Sequence, residues 1–168
     1  GDQEQLEEIT YEGYGPGGVA IMLQAATSNR NRTASDVRST FSKSGANLGE
    51  TGCVAWNFES KGLITLEMAS QDAEEIALLA IDAGAEDVVV EDTYVEISTV
   101  PEKLEQVKRE LEREKAPIST AEISMVPKVT VTLGPREAEQ TLRLLDLLED
   151  LPDSQKVYTN ADFPEETL

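Results

Sequence analysis

The middle of the chain, residues 63–126, reads LITLEMASQDAEEIALLAIDAGAEDVVVEDTYVEISTVPEKLEQVKRELEREKAPISTAEISMV. Four runs of β-forming residues are separated by two helical patterns, and Asp72 is predicted to cap the first helix. The apolar residues at helical spacing are Ile76, Leu79, Ala80 and Ala83 in the first pattern and Leu104, Val107 and Leu111 in the second. This β-α-β-β-α-β order predicts a ferredoxin-like unit.

The segments on either side of this unit contain too few elements to form domains alone, so we expect them to fold together. Strands are predicted at Ile9–Tyr14, Val19–Ala26, Cys53–Phe58, Val129–Leu133 and Lys156–Thr159, with Ser60–Gly62 as a turn after the third. One helix is predicted to start at an N-cap on Thr33. Another is predicted to start at Gly134-Pro135, with Leu142, Leu145 and Leu148 on its buried stripe.

Strands and helices do not alternate regularly, which favours an α+β fold over a Rossmann sheet. The predicted architecture has two domains. Residues 1–62 and 128–168 form a split α+β domain, and residues 63–127 form a ferredoxin-like βαββαβ unit inserted into it.

The composition excludes several classes of function. The 168 residues include 14 Lys and Arg against 33 Asp and Glu, a net charge of −19, with no histidine. The absence of histidine excludes Ser-His-Asp and Cys-His catalysis, and a single cysteine, Cys53, excludes an internal disulfide. The longest apolar run, Val19–Leu23, is far shorter than the ~20 residues of a membrane helix, so no membrane association is expected. The sequence begins at Gly1-Asp2 without methionine, and we expect it to be a fragment.

One region departs from the acidic average. Between Gly13 and Gly49 the net charge is +3, because a single acid, Asp36, accompanies four bases. The bases are Arg30, Arg32, Arg38 and Lys43. Arginine side chains beside the free amides of a helix N-terminus suit phosphate binding, so the four residues are candidate nucleic-acid contacts. The alternative is that Arg30 and Arg32 are surface residues that pair with nearby carboxylates.

A glycine-rich segment lies between the first two predicted strands. It consists of Gly13, Tyr14, Gly15, Pro16, Gly17 and Gly18. The spacing matches GxGxxG, but a strand follows instead of a helix and Pro16 lacks an amide donor, so a dinucleotide site is disfavoured. We predict a tight turn and keep the six residues as a hypothetical interaction loop.

The remaining polar clusters do not indicate catalysis. Glu74-Glu75, Glu86-Asp87 and Glu91-Asp92 lack the spaced oxygens of a calcium loop. Cys53 has no histidine to deprotonate it. We therefore predict no catalytic residue, no metal site and no cofactor.

Several stretches resemble the YebC/PmpR family, whose members are described as transcriptional regulators and include the mitochondrial translational activator of cytochrome c oxidase subunit I. The similar stretches are Tyr11–Ala20, Asn29–Thr33, Phe41–Lys43, Asn47–Gly49, Gly52–Trp56 with Phe58, Leu142–Asp150, and Val157-Tyr158 with Asn160. Serine is more usual in this family at the position of Cys53.

The resemblance implies a three-domain protein, in which a basic helical N-terminal domain precedes two α+β domains and the third is inserted in the second. On this resemblance, the N-terminal domain is expected to be missing from this sequence. Nucleic acid, either DNA or RNA within the ribosome, would be bound mainly through that domain. The present chain alone is expected to bind nucleic acid poorly. The family has no established catalytic residues, so an enzyme is not expected.

Three functions remain open at this point. The first is a gene-expression regulator that binds promoter DNA, and the second is a ribosome-associated translation factor that contacts rRNA or tRNA. The third is a protein-interaction or small-ligand module, since ferredoxin-like units often serve in this way. The expected location is the cytoplasm, or the mitochondrial matrix or a plastid if the source is a eukaryote.

Overall fold

The structure, a computed structural model, describes residues 5–164. Within this range, helices are mixed with strands that form several sheets, which confirms the α+β class. The elements are β1 (Glu7–Tyr14), β2 (Ala20–Thr27), α1 (Arg30–Lys43), β3 (Asn47–Leu48), β4 (Phe58–Glu67), α2 (Glu74–Ala83), β5 (Asp87–Val90), β6 (Tyr94–Thr99), α3 (Leu104–Arg113), β7 (Ile118–Pro127), β8 (Val131–Thr132), α4 (Pro135–Glu149), β9 (Ser154–Thr159) and β10 (Ala161–Asp162). The chain divides into two compact units, Gly1–Phe58 with Pro127–Leu168, and Glu59–Val126.

The first unit is built on a four-stranded antiparallel sheet with the order β3-β1-β2-β9. The central strand β2 is buried along almost its whole length. Ile21 and Leu23 of β2 share a core with Val37 and Phe41 of α1 and with Leu144 of α4. Since each such side chain contributes about 1.5–3 kcal/mol when fully buried, the two helices are held mainly by this apolar contact.

The buried stripe of α4 differs from the predicted one. The fully buried residues are Ala138, Thr141, Leu144 and Leu148. Of the predicted leucines, Leu148 is buried as expected, whereas Leu142 and Leu145 are only partly buried. Residues 142 and 144 are about 200° apart on a helix with 3.6 residues per turn, so they cannot both face the core. Because there are five leucines between positions 142 and 148, two different stripes of this helix could face the core. The sequence pattern alone does not distinguish between them.

The start of α1 also differs from the prediction. Asn29 is the N-cap, and its side-chain oxygen accepts the backbone N–H of Arg32 at 3.1 Å. Thr33 is buried within the first turn, where its hydroxyl donates to a carboxylate oxygen of Asp153 at 2.6 Å. Thr33 therefore links α1 to the segment before β9 instead of capping the helix.

The second unit has a four-stranded sheet with the order β5-β6-β4-β7. This is the ferredoxin-like order, in which the first and third strands of the unit lie at the centre. The central strands β4 and β6 supply the buried side chains of Ile64 and Ile97. Val107 and Leu111 of α3 and Ala80 of α2 belong to the same core.

Three local predictions within or next to this unit are wrong. β4 runs without interruption through Ser60–Gly62, which was predicted to be a turn. The predicted strand Cys53–Phe58 is instead a turn followed by a short 3-10 helix, Ala55–Asn57. Asp72 does not cap α2, because it ends a separate 3-10 turn and α2 begins after Ala73 without a side-chain cap.

Candidate functional site

The two arginines at the start of α1 are both paired with carboxylates. A guanidinium nitrogen of Arg30 lies 3.1 Å from a carboxylate oxygen of Glu7, and one of Arg32 lies 3.4 Å from Asp153. Both arginine side chains are more than half exposed, 69% and 55%. Exposed pairs of this kind contribute at most about 1 kcal/mol, so the guanidinium groups are oriented by their partners yet remain accessible.

Asp153 has a second and closer partner in this corner of the unit. The hydrogen bond from Thr33 is the main reason that the pKa of the Asp153 carboxyl lies below its usual value, and the hydrogen bond and charge of Arg32 act in the same direction. Asp153 therefore remains ionised and fixes the side chain of Arg32 near the end of the sheet.

Arg38 and Lys43 lie further along α1. Both are exposed, and among residues 5–164 no carboxylate lies within 4.0 Å of either. Their separation of five residues rotates them by about 140° around the helix. The structure thus places the four predicted cations around α1, two paired at its start and two unpaired further on, without gathering them into one patch.

The glycine-rich segment forms the predicted tight connection between β1 and β2. Pro16–Gly18 is a 3-10 turn, with φ of 73° at Gly17 and 83° at Gly18. A strand follows directly, so the amides do not open a helix and the GxGxxG spacing has no dinucleotide geometry here. Gly13 lies within β1, where a Cβ atom would come 2.7 Å from the ring of Phe41. Gly13 is therefore required by packing.

Two residues of this segment, Tyr14 and Gly18, line a cleft of about 240 Å³ in the first unit. We call it the Tyr14–Trp56 cleft. Its other lining residues are Ala20, Cys53, Val54, Trp56, Asn57, Val129, Val131 and Asn160. Gly15, Pro16 and Gly17 are not among its lining residues. Only part of the predicted interaction loop therefore borders the cleft.

The wall of the cleft that carries Trp56 is held by Glu12 of β1. This residue is only 3% exposed, and its carboxylate accepts three backbone N–H groups from the loop after β3. The donors are Gly52 at 2.6 Å, Val54 at 3.0 Å and Ala55 at 2.6 Å. A buried carboxylate with three amide donors is well satisfied, so it fixes the loop against the sheet.

The opposite wall is held by two buried asparagines. The side-chain amides of Asn57 and Asn160 both donate to the carbonyl oxygen of Val129, each at 3.1 Å. Asn57 also accepts the N–H of Val129 at 2.9 Å, and Asn160 accepts the N–H of Ala20 at 2.7 Å. These bonds present the side chain of Val129 to solvent with 59% of its surface exposed.

The cleft is suited to binding and not to nucleophilic chemistry. Burial and the neighbouring Glu12 carboxylate raise the pKa of the Cys53 thiol, so the thiol is protonated at neutral pH and is a weak nucleophile. Its backbone carbonyl accepts hydrogen bonds from the Tyr14 hydroxyl and the Trp56 indole, both at 3.0 Å.

Sequence reasoning identified Tyr14 and Gly18 as interaction candidates but missed Trp56 and Val129. The wrong strand prediction over Cys53–Phe58 placed Trp56 on a sheet face. Gly49 and Gly52, just before this segment, were the available signal that it is not a strand.

The described part of the chain has neither a candidate metal cluster nor a membrane-spanning helix. Within residues 5–164, no cluster of three Cys, Asp or Glu side chains has the geometry to hold a metal ion. Over the same range, no helix combines the length and the hydropathy needed to cross a membrane.

Comparisons with known proteins agree with each other. Residues 6–161 match a family model described as the TACO1/YebC second and third domain. A "Probable transcriptional regulatory protein" of Symbiobacterium thermophilum is 51% identical over 164 residues, which are 96% of this chain and 68% of that protein. A protein of the same name from Moorella thermoacetica is 56% identical over 161 residues, 94% of this chain and 64% of that protein.

One solved structure agrees with the fold. The crystal structure of a conserved hypothetical protein from Aquifex aeolicus superimposes with a TM-score of 0.87 and 46% identity, over 99% of this chain and 69% of that one. The chain spans about two thirds of the length of these relatives. On the family match and these identities, the chain belongs to the TACO1/YebC family, a family of regulators and not of enzymes.

Proposed function

We propose that this chain is part of a gene-expression regulator that binds promoter DNA. The observation that carries the proposal is the family membership, since relatives about half identical to the chain bear the name of transcriptional regulators. In this proposal, residues 1–62 with 128–168 are the second domain of the family and residues 63–127 are the third. The protein would act where the DNA is, which in a bacterium is the cytoplasm.

Within this chain, α1 is the proposed contact with nucleic-acid phosphates. Arg38 and Lys43 can approach phosphates directly because they have no ion-pair partner among residues 5–164. Arg30 and Arg32 can do so only by sharing or leaving Glu7 and Asp153. A net charge of −19 opposes any broad contact with a polyanion, so this part of the protein contributes little affinity. The main contribution would come from the first domain of the family.

A second candidate is a ribosome-associated translation factor. The family model carries the name TACO1 beside YebC, and the resemblance in sequence implies a relation to a translational activator. Phosphates of rRNA or tRNA would meet the same side chains of α1, so the residues involved do not separate the two candidates. The nature of the nucleic acid has to be measured.

The test compares the 168-residue chain with the whole Symbiobacterium thermophilum relative in binding to a labelled DNA duplex at several salt concentrations. We expect weak binding by the chain, and tighter binding with steep salt dependence by the relative. The chain variant R38E/K43E should lower the residual affinity and reduce the slope of log K against log salt by about 2, because each neutralised phosphate contributes about 0.9. The matched control K108E/R109E makes the same charge change on α3 and should leave binding unchanged.

Co-sedimentation with ribosomes distinguishes the two candidates. Stable association with ribosomes, combined with weak and sequence-independent DNA binding, would favour the translation factor over the regulator that binds promoter DNA. Equal effects of R38E/K43E and its control would remove α1 from the interface. Failure of the relative to bind either target would overturn both candidates.

A further inference from the structure

The Tyr14–Trp56 cleft combines large exposed apolar side chains with a concave surface. Trp56 is 66% exposed, Val129 59% and Tyr14 42%. Large apolar groups that face solvent side by side are typical of interaction sites. Tryptophan and tyrosine are also enriched among the residues that dominate the energy of protein–protein interfaces.

The polar groups of the cleft are already used by the protein itself. The Tyr14 hydroxyl and the Trp56 indole N–H are directed at the Cys53 carbonyl, and the two asparagine side chains are directed at the backbone of Val129. An occupant would therefore be recognised by shape and apolar contact. The volume of about 240 Å³ is below the ~300–1,000 Å³ of typical small-molecule pockets, which suits a single inserted side chain.

The surroundings of the cleft are acidic. Glu50 is close enough for its charge to raise the pKa of the Cys53 thiol. The carboxylate of Glu12 is also close enough to raise the pKa of this thiol. Against these two carboxylates stands Lys128, which adjoins Val129 in the chain. A partner with positive charge is favoured here and a polyanion is disfavoured.

We propose that the Tyr14–Trp56 cleft is a docking site for a positively charged polypeptide segment that inserts one aliphatic or aromatic side chain between Tyr14 and Trp56. This inference goes beyond the proposed function, because it concerns a protein partner and a surface other than the cations of α1. The apolar side chain supplies the anchor, and the basic residues beside it face the carboxylates around the cleft.

The test uses the 168-residue chain and the fluorescence of Trp56, its only tryptophan. The first probe is a synthetic peptide with a central leucine and three lysines on each side. The second replaces leucine by glycine, the third replaces the lysines by glutamates, and the fourth is a single-stranded DNA of ten thymidines. We expect the leucine–lysine peptide to change the emission of Trp56 and to bind at least about tenfold more tightly than the other three.

Two substitutions separate docking from general electrostatic attraction. Val129→Lys should weaken binding of the leucine–lysine peptide by about tenfold or more. The reason is that it adds a positive charge at an exposed position, while the backbone hydrogen bonds of residue 129 are kept. The matched control Val89→Lys alters an equally apolar, 43% exposed valine on β5 and should have no effect.

Three outcomes would overturn the proposal. One is equal affinity for the leucine and glycine peptides, which would show that charge alone is recognised. Another is equal weakening by Val129→Lys and Val89→Lys. The third is tighter binding of the thymidine strand, with loss of that binding in Val129→Asp, which would make the cleft a base-stacking site. None of these results depends on the R38E/K43E measurement, so the two proposals can fail separately.

Discussion

Replacement of Glu12 by glutamine tests how the loop that carries Trp56 is held against the sheet. Oε1 of Glu12 accepts the amides of Val54 and Ala55, and Oε2 accepts the amide of Gly52. Glutamine has nearly the same shape but only one acceptor oxygen. If that oxygen keeps the hydrogen bonds from the amides of Val54 and Ala55, the side-chain NH2 group lies against the N–H of Gly52. Two hydrogen-bond donors then face each other.

The expected cost follows from these three bonds. A hydrogen bond to a charged group contributes about 1.5–3 kcal/mol and one between neutral groups about 0.5–1.5 kcal/mol. Two bonds lose their charge assistance, at about 1 kcal/mol each, and the bond to Gly52 is lost, at a further ~1 kcal/mol because water can reach this exposed amide. We therefore expect Glu12→Gln to lower the free energy of unfolding of the first unit by about 3 kcal/mol.

The assay is urea denaturation followed by Trp56 fluorescence, which reports on the unit to which the tryptophan belongs. Hydrogen exchange at the amides of Val54 and Ala55 gives a second, local readout, and both amides should exchange faster in the variant. The control is Glu8→Gln on the same strand, where the carboxylate is exposed and no change is expected. An unchanged urea midpoint, with unchanged exchange at Val54 and Ala55, would refute the role assigned to Glu12.

Two further predictions concern the first unit. Thr33→Val should lower the free energy of unfolding by about 1–2 kcal/mol at pH 7. Because the pKa of Asp153 is depressed in the folded state, this contribution is present above the unfolded-state pKa of about 3.9 and is lost as the pH falls through the folded-state value. The difference between the urea midpoints of variant and wild type should thus shrink as the pH falls through the folded-state pKa, and a constant difference would contradict the linkage. Gly17→Ala should destabilise more than Gly18→Ala: both glycines have positive φ, but only at Gly17 would the new Cβ meet Leu133, at 2.6 Å. Equal losses in thermal denaturation would show that strain at φ, not this contact, decides the cost.

The fold was largely predictable because its elements carry strong local signals. The second unit has short strands and helices whose apolar residues repeat with the proper period, so its element order and its α3 core residues Leu104, Val107 and Leu111 agree with the sequence pattern. The wrong predictions are at places where a distant residue decides the local structure. Thr33, in the first turn of α1, donates a hydrogen bond to Asp153, which is 120 positions away in the sequence. No local sequence pattern contains that contact.

The candidate site was less predictable for the same reason. Tyr14 and Cys53 are joined across 39 positions, and Ala20 and Asn160 across 140. Charge patterning did identify the cations of α1, but it could not show that two of them already have partners. The sequence shows that Trp56 is the single tryptophan, but it does not show that this side chain is exposed. The exposure depends on the hydrogen bonds that Glu12 accepts from three amides of the loop.

The discontinuous first unit has a consequence for the order in which the protein is made. Strand β9 pairs with β2, and Ile21 is aligned with Thr159, so this side of β2 stays unpaired until Ser154–Thr159 has been synthesised. The four strands of the second unit lie within residues 58–127 and can pair earlier. During translation the inserted unit can therefore be complete while its host still exposes the edge of an apolar strand, and that interval is when the protein is most open to mispairing.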